Sequence, residues 1–273
     1  MLSYPFIYHA FIVGILIALC AALLGVSLVL KRFSMIGDGL SHVGFGALAV
    51  AAAMNAAPLA VAIPVVILAA FLLLRLRESS RIKGDAAIAI ISAGALAVGV
   101  TIVSISTGMT ADIYNYMFGS INSLSSGDVI LSVILSVTVL ILYVIFYPKI
   151  FAVTFDEEFA KATGIRTGLY NLLIAFLTAI MIVLGMKLMG TLLISALIIF
   201  PPLTSMRLFK SFRSVVTGSA IISVVCFIIG ISISYFYITP NNASLPTGAC
   251  VVLANIAAFI IFYFINLFKK LKN

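Results

Sequence analysis

The sequence predicts an all-α, polytopic transmembrane helix bundle of about nine spans, in a range of roughly eight to ten. Two observations lead there. Of the 273 residues, 64% are hydrophobic and 9% are charged, where a soluble domain carries about 25% charged residues. Apolar runs long enough to cross a bilayer also recur from one end to the other, and the mean hydropathy is +1.30. No stretch is left over for a soluble domain, so residues 1–273 read as a single membrane domain. β-Barrel spans are excluded, because the runs lack two-residue alternation.

A span needs about 20 mainly apolar residues. The candidates are Phe6–Leu30, Ile36–Met54, Pro58–Leu76, Ala86–Ser106, Val129–Tyr147, Leu169–Met186, Leu188–Met206, Ser214–Ile238 and Leu245–Phe268. The first is too long for a signal-peptide core and follows no basic region, so it reads as a retained span. Gly185 to Gly190 reads as a very short connection between the sixth and seventh.

Charge tests this count. Nine alternating spans put every Lys and Arg except Lys187 on one side: Lys31/Arg32, Arg75/Arg77/Arg81/Lys83, Lys149/Lys161/Arg166, Arg207/Lys210/Arg213 and Lys269/Lys270/Lys272. The basic-rich side is cytoplasmic by the positive-inside rule, which places the N-terminus out and the C-terminus in. The formal net charge of +8 therefore marks topology. Nucleic acid is not an expected partner, since no basic face interleaved with aromatic residues exists. One outer connection, 107–128 (TGMTADIYNYMFGSINSLSSGD), is long. It is too polar to face lipid as irregular backbone, so it should line a cavity or lie at the surface.

Small residues in the spans, among them Ala89, Ala93 and Ala97 at four-residue spacing and Gly44 and Gly46, are expected to let helices approach closely. Cys20, Cys226 and Cys250 all lie in apolar runs and form no C-x-x-C pair, which suits small packing residues.

An ionisable residue inside a span is costly and usually functional. Asp38 and His42 stand out, in Gly37-Asp38-Gly39-Leu40-Ser41-His42. Their i, i+4 spacing puts both on one helix face. A carboxylate and an imidazole on one face can ligate zinc, manganese or ferrous iron. The same two groups can relay a proton or simply stabilise a helix start. Two ligands do not close a metal site, so further groups or a second copy of the chain must join. His9 reads as an interfacial polar residue, Lys187 as a lysine snorkelling to water, and Asp112 as a solvated loop carboxylate.

The inner loop 148–168 holds three acidic residues, Asp156, Glu157 and Glu158. Its core, DEEFAKATG, starts acidic and ends at Gly164, which predicts a short capped helix. Such a helix at the cytoplasmic face is either a docking element for a soluble partner or a solvated surface helix. The sequence contains no G-x-x-x-x-G-K-[ST] phosphate loop and no hydrolase constellation. The chain is therefore not expected to be an enzyme, and any ATP hydrolysis that drives it belongs to another polypeptide.

The segment IGDGLSHVGFGALAVA resembles the signature of the zinc/manganese/iron ABC transporter permeases, and FDEEFAKATGI resembles that family's coupling-helix segment. YNYMFGSI and MGTLLISALIIFPP are similar to two further blocks, in the right order over nearly the whole chain. The resemblance implies a multi-pass subunit of the bacterial plasma (inner) membrane. It implies a permease homodimer, a cytoplasmic ABC ATPase dimer and an extracellular or periplasmic metal-binding protein. Asp38 and His42 match the positions taken to ligate the metal in transit, and Asp156, Glu157, Glu158, Ala160 and Gly164 fall in the segment that seats in the ATPase. The resemblance implies no permanently bound cofactor. Zn2+ is the first candidate cargo, on the overall resemblance, with Mn2+ or Fe2+ next. The alternative is a proton- or cation-coupled secondary transporter without an ATPase. Lys187 and the pair Pro201-Pro202 depart from the usual blocks.

Overall fold

The computed structural model describes residues 5–78, 84–106, 126–237 and 245–272, and every regular element among them is a helix. Nine of these helices are long and apolar enough to cross a membrane: α1 (Pro5–Leu30), α2 (Ile36–Ala53), α3 (Pro58–Glu78), α4 (Gly84–Ile105), α5 (Ser126–Ile145), α8 (Thr167–Met189), α9 (Thr191–Leu208), α10 (Phe212–Phe236) and α11 (Thr247–Lys272). Two short helices, α6 (Tyr147–Phe155) and α7 (Glu157–Ala162), lie between α5 and α8. Asp112, most of the 107–128 connection and the side chain of His9 fall outside the described residues.

The bundle is built around α1, α2 and α8, with α4 and α11 at its periphery. The least apolar of the nine spans, α2, is also the most deeply buried. That arrangement follows from the cost of polar side chains against lipid. Buried hydroxyls bond across helices: Ser223 donates to the Ala18 carbonyl at 2.8 Å, and Ser205 to the Val215 carbonyl at 2.8 Å. The three cysteines are free and buried, as packing residues should be.

Three details differ from the sequence expectation. The fifth span ends at Ile145, and Tyr147 opens a helix of its own. Pro148 sits in its first turn, where a missing N–H costs nothing. The connection between α8 and α9 is the single residue Gly190, at φ 84°. Gly185 is helical and packs instead: a Cβ there would lie 2.5 Å from Ile194. Ala89, Ala93 and Ala97 are exposed, and α4 meets α2 through Gly99 and the Ala95 carbonyl, which lie against Phe45 and Gly46.

Helix α9 carries Pro201 and Pro202 in its interior. Pro202 has no N–H to offer the Ile198 carbonyl one turn back. α1 crosses at that point through Gly25, and the first turn of α2 crosses through Gly37, whose missing Cβ would lie 3.1 Å from the Ile198 side chain. The start of α2 is thus level with Gly25, five residues before the end of α1 and roughly 7 Å inside it at 1.5 Å per residue.

Candidate functional site

Asp38 and His42 sit in that recessed first part of α2. Glycines on both sides of Asp38 keep the helix thin: Gly37 packs on Ile198, and Gly39 lies against Ile88 of α4. An acidic residue in a first helical turn also faces the positive end of the helix dipole. The two side chains share one face, as the spacing required, with His42 Nε2 3.6 Å from Asp38 Oδ2. Ser41 donates to the Asp38 backbone carbonyl at 2.7 Å, which orders the turn.

The opposite wall is α9. Ser195 lies with its hydroxyl 3.5 Å from Asp38 Oδ1, and it also donates to the Thr191 carbonyl at 3.1 Å. Ser195 was not singled out from the sequence. The Asp38 side chain is 52% exposed and that of His42 23% exposed, although the rest of α2 up to Ala49 is buried. The pair is therefore accessible on the face of α2 that meets Ser195 of α9. Among the described residues, no group of three or more His, Cys, Asp or Glu side chains gathers at one point.

The short helices lie at the end of the bundle where α1 finishes. Asp156 caps α7, its Oδ1 accepting from the Phe159 N–H at 2.9 Å. At the other end the Ile165 N–H reaches the Ala160 carbonyl at 3.0 Å, and the Gly164 N–H reaches the Lys161 carbonyl at 3.0 Å. This is a Schellman close, and Gly164 supplies the left-handed residue it needs, at φ +82°. The acidic start and glycine stop read from the sequence thus fix a helix of six residues. Its faces differ. Ala160 is fully buried, and Glu157 points inward. Glu158 points out, with its side chain 90% exposed, and Phe155 and Phe159 stand exposed beside it.

Glu157 Oε2 lies 3.4 Å from the Lys31 ammonium at the end of α1, and its Oε1 accepts from the Asn171 amide of α8 at 2.9 Å. Lys31 also donates to Asn171 Oδ1. Next to α7, Tyr147, Phe151, Phe155 and Phe212 wall a hollow of about 450 Å³ edged by Lys210 and Arg213. Burial raises the Tyr147 phenol above its ordinary value, and the neighbouring Arg213 acts in the opposite direction. At the far end of the bundle Lys187 does not reach for water alone: its ammonium is 2.7 Å from Asp128 Oδ1 in the first turn of α5.

Among the described residues, nine helices of membrane-spanning length pack into one bundle, with an ionisable pair on its most buried span. The chain belongs to the ABC 3 transport family, whose model matches residues 3–266. It is a multi-pass plasma-membrane protein. It is 34% identical over 260 residues to a Thermotoga maritima protein named "Probable metal transport system membrane protein", covering 95% of this chain and 90% of that one. It is 27% identical to the high-affinity zinc uptake system membrane protein ZnuB of Haemophilus influenzae, covering 98% of each. Other relatives are named for manganese import and for iron transport. The structure superposes on a chain of PsaBC from Streptococcus pneumoniae in complex with Fab, with a TM-score of 0.86 and 28% identity over 99% of this chain and 96% of that one.

Proposed function

We propose that this chain is the membrane-spanning subunit of an ATP-driven importer for a divalent transition metal, and that the ion passes the Asp38/His42 pair. The carrying observation is the geometry of that pair. Two ligands about 2.1 Å from a tetrahedral ion are about 3.4 Å apart, and the carboxylate oxygen and imidazole nitrogen lie 3.6 Å apart on one helix face. Little rearrangement is needed for both to touch one ion. Two ligands with the Ser195 hydroxyl nearby hold an ion loosely, which suits transit, since a closed site would trap it.

A half-exposed carboxylate recessed among spans is not placed against lipid. A water-filled crevice covered by a second copy of the chain accounts for its exposure, and the working unit is then a permease homodimer. Exposed Phe155, Glu158 and Phe159 at the α7 end form the surface for a cytoplasmic ABC ATPase dimer. An extracellular or periplasmic metal-binding protein delivers the ion to the opposite end. One Asp and one His per chain suit zinc, manganese and ferrous iron alike. Zinc stands first on the overall family resemblance, with manganese and iron next.

The test is uptake by cells carrying the intact system, with zinc, manganese and iron assayed separately, for wild type, Asp38→Ala and His42→Ala. Loss of uptake of one metal by variants that are folded and inserted names the cargo and supports the site. Unchanged uptake of every metal removes the pair from the pathway.

A further inference from the structure

The helix α7 is too short to hold its position by its own hydrogen bonds, because an isolated helix of this length is not stable. Contacts with the bundle hold it in place. Among them is the buried methyl of Ala160. Another is the closed ring of Glu157, Lys31 and Asn171, in which the ammonium donates to both partners and the amide donates to the carboxylate.

The ring is built into the bundle rather than laid on it. The Lys31 side chain is 8% exposed, and Leu28, Phe33, Ile36, Leu74 and Ile174 surround the space beside it. That space, about 20 Å³, admits roughly one water. Moving Glu157 away would leave a largely buried ammonium with Asn171 and room for about one water in place of its carboxylate, which favours carboxylate and ammonium moving together.

The ring also stands where the α2 wall of the Asp38 site begins and where α8, the span that leads into the α9 wall, begins. Lys31 begins the turn into α2, closed by the Phe33 N–H on the Leu28 carbonyl at 2.7 Å with Arg32 at φ 59°. Asp38 follows seven residues after Lys31. Asn171 lies in the first turns of α8, which runs to Gly190 and then into α9 with Ser195.

We infer that Glu157, Lys31 and Asn171 form the clasp through which a displacement of α7 is passed to the α1–α2 turn and to α8, and so to the two walls of the ion site. Glu157 is then a positioning residue that faces the bundle, and the ATPase is met by the opposite face of α7. The inference rests on the proposed ATP-driven transport.

Two measurements test it. Amide hydrogen exchange on the purified chain reads the clasp without any ATPase. Glu157→Gln is expected to speed exchange about tenfold or more at residues 31–36 as well as at 157–163, as loss of one charged hydrogen bond would. Unchanged exchange at 31–36 overturns the clasp. The second measurement uses proteoliposomes holding the chain with its ATPase partner, with metal movement and ATP hydrolysis read together. Glu157→Gln and Lys31→Met are expected to assemble and hydrolyse ATP, while ions moved per ATP fall about fivefold or more, the low end of a coupling free energy. The exchanged pair Lys31→Glu/Glu157→Lys should recover much of the ratio. If Lys31→Met fails to assemble, Glu157→Gln decides, because it keeps the shape and one hydrogen bond. An unchanged ratio, or hydrolysis and transport falling in parallel, overturns the transmitting role. A wild type that moves no metal on ATP hydrolysis overturns the transport reading and the transmitting role with it, and the exchange result then stands for the clasp alone.

Discussion

Gly25 of α1 lies directly on the carbonyl of Ile198 in α9: a Cβ at that position would be 2.2 Å from the oxygen. The oxygen is the one that Pro202 leaves without a helical donor. The missing side chain and the missing N–H serve one crossing, at which α9 presents backbone to α1. Gly25→Ala cannot be absorbed by a rotamer change, since the atom it meets is backbone. It is expected to cost about 2 kcal/mol or more, read as lower thermal stability of the detergent-solubilised protein. An equal change at Gly94, where a Cβ meets nothing within 4 Å, should be close to neutral.

Lys187 and Asp128 are expected to stabilise the far end of the bundle as a pair. Their side chains are 14% and 18% exposed. Lys187→Met should lower stability by about 2 kcal/mol, because the mostly buried carboxylate loses its cation. The double change Lys187→Met/Asp128→Leu should recover most of that loss. A double-mutant cycle of melting temperatures measures the coupling.

Asp156→Ala removes the cap of α7 and should loosen that helix by about 1 kcal/mol, whereas Asp156→Ser keeps the cap. Hydrogen exchange at residues 157–163 reports the difference. Transport should fall with the loosening, because a frayed α7 presents no fixed face to a partner.

Gly164→Ala forces a Cβ into the left-handed region at φ +82° and should cost about 1 kcal/mol. Gly164→Asn should cost less, since Asn tolerates that conformation. Space is not the cause, because nothing lies within 4 Å of the added Cβ.

Most of the fold was legible because lipid imposes long apolar runs, and the nine helices fall where those runs fall. Asp38 and His42 stood out for the same reason, as ionisable residues in an apolar span, and the structure places both on one helix face. Packing direction was not. Gly185 looked like a break, yet in a bundle a glycine is as often a contact point as a stop, and only the positive φ of Gly190 marks the true junction. Ala89, Ala93 and Ala97 had the spacing of a packing stripe and face outward, because spacing gives a face and not what covers it. The start of α6 was hidden by Pro148, which reads as an end in a span and as a beginning in a first turn. Ser195, Asn171 and Asp128 find partners 157, 140 and 59 residues away, and a lone Ser or Asn near a span carries no local sign of such a partner.

The Asp38/His42 pair as the transit site is tested most directly by the initial rate of ATP-driven metal uptake into proteoliposomes holding the chain and its ATPase, for wild type, Asp38→Asn and His42→Gln. Both variants keep the size and polarity of the side chain and remove a ligand. The rate should fall about tenfold or more for each, equivalent to at least about 1.4 kcal/mol of lost ion stabilisation, with ATP still hydrolysed and the protein folded. Wild-type rates in both variants would contradict the account and leave the pair as a structural hydrogen bond at the start of α2.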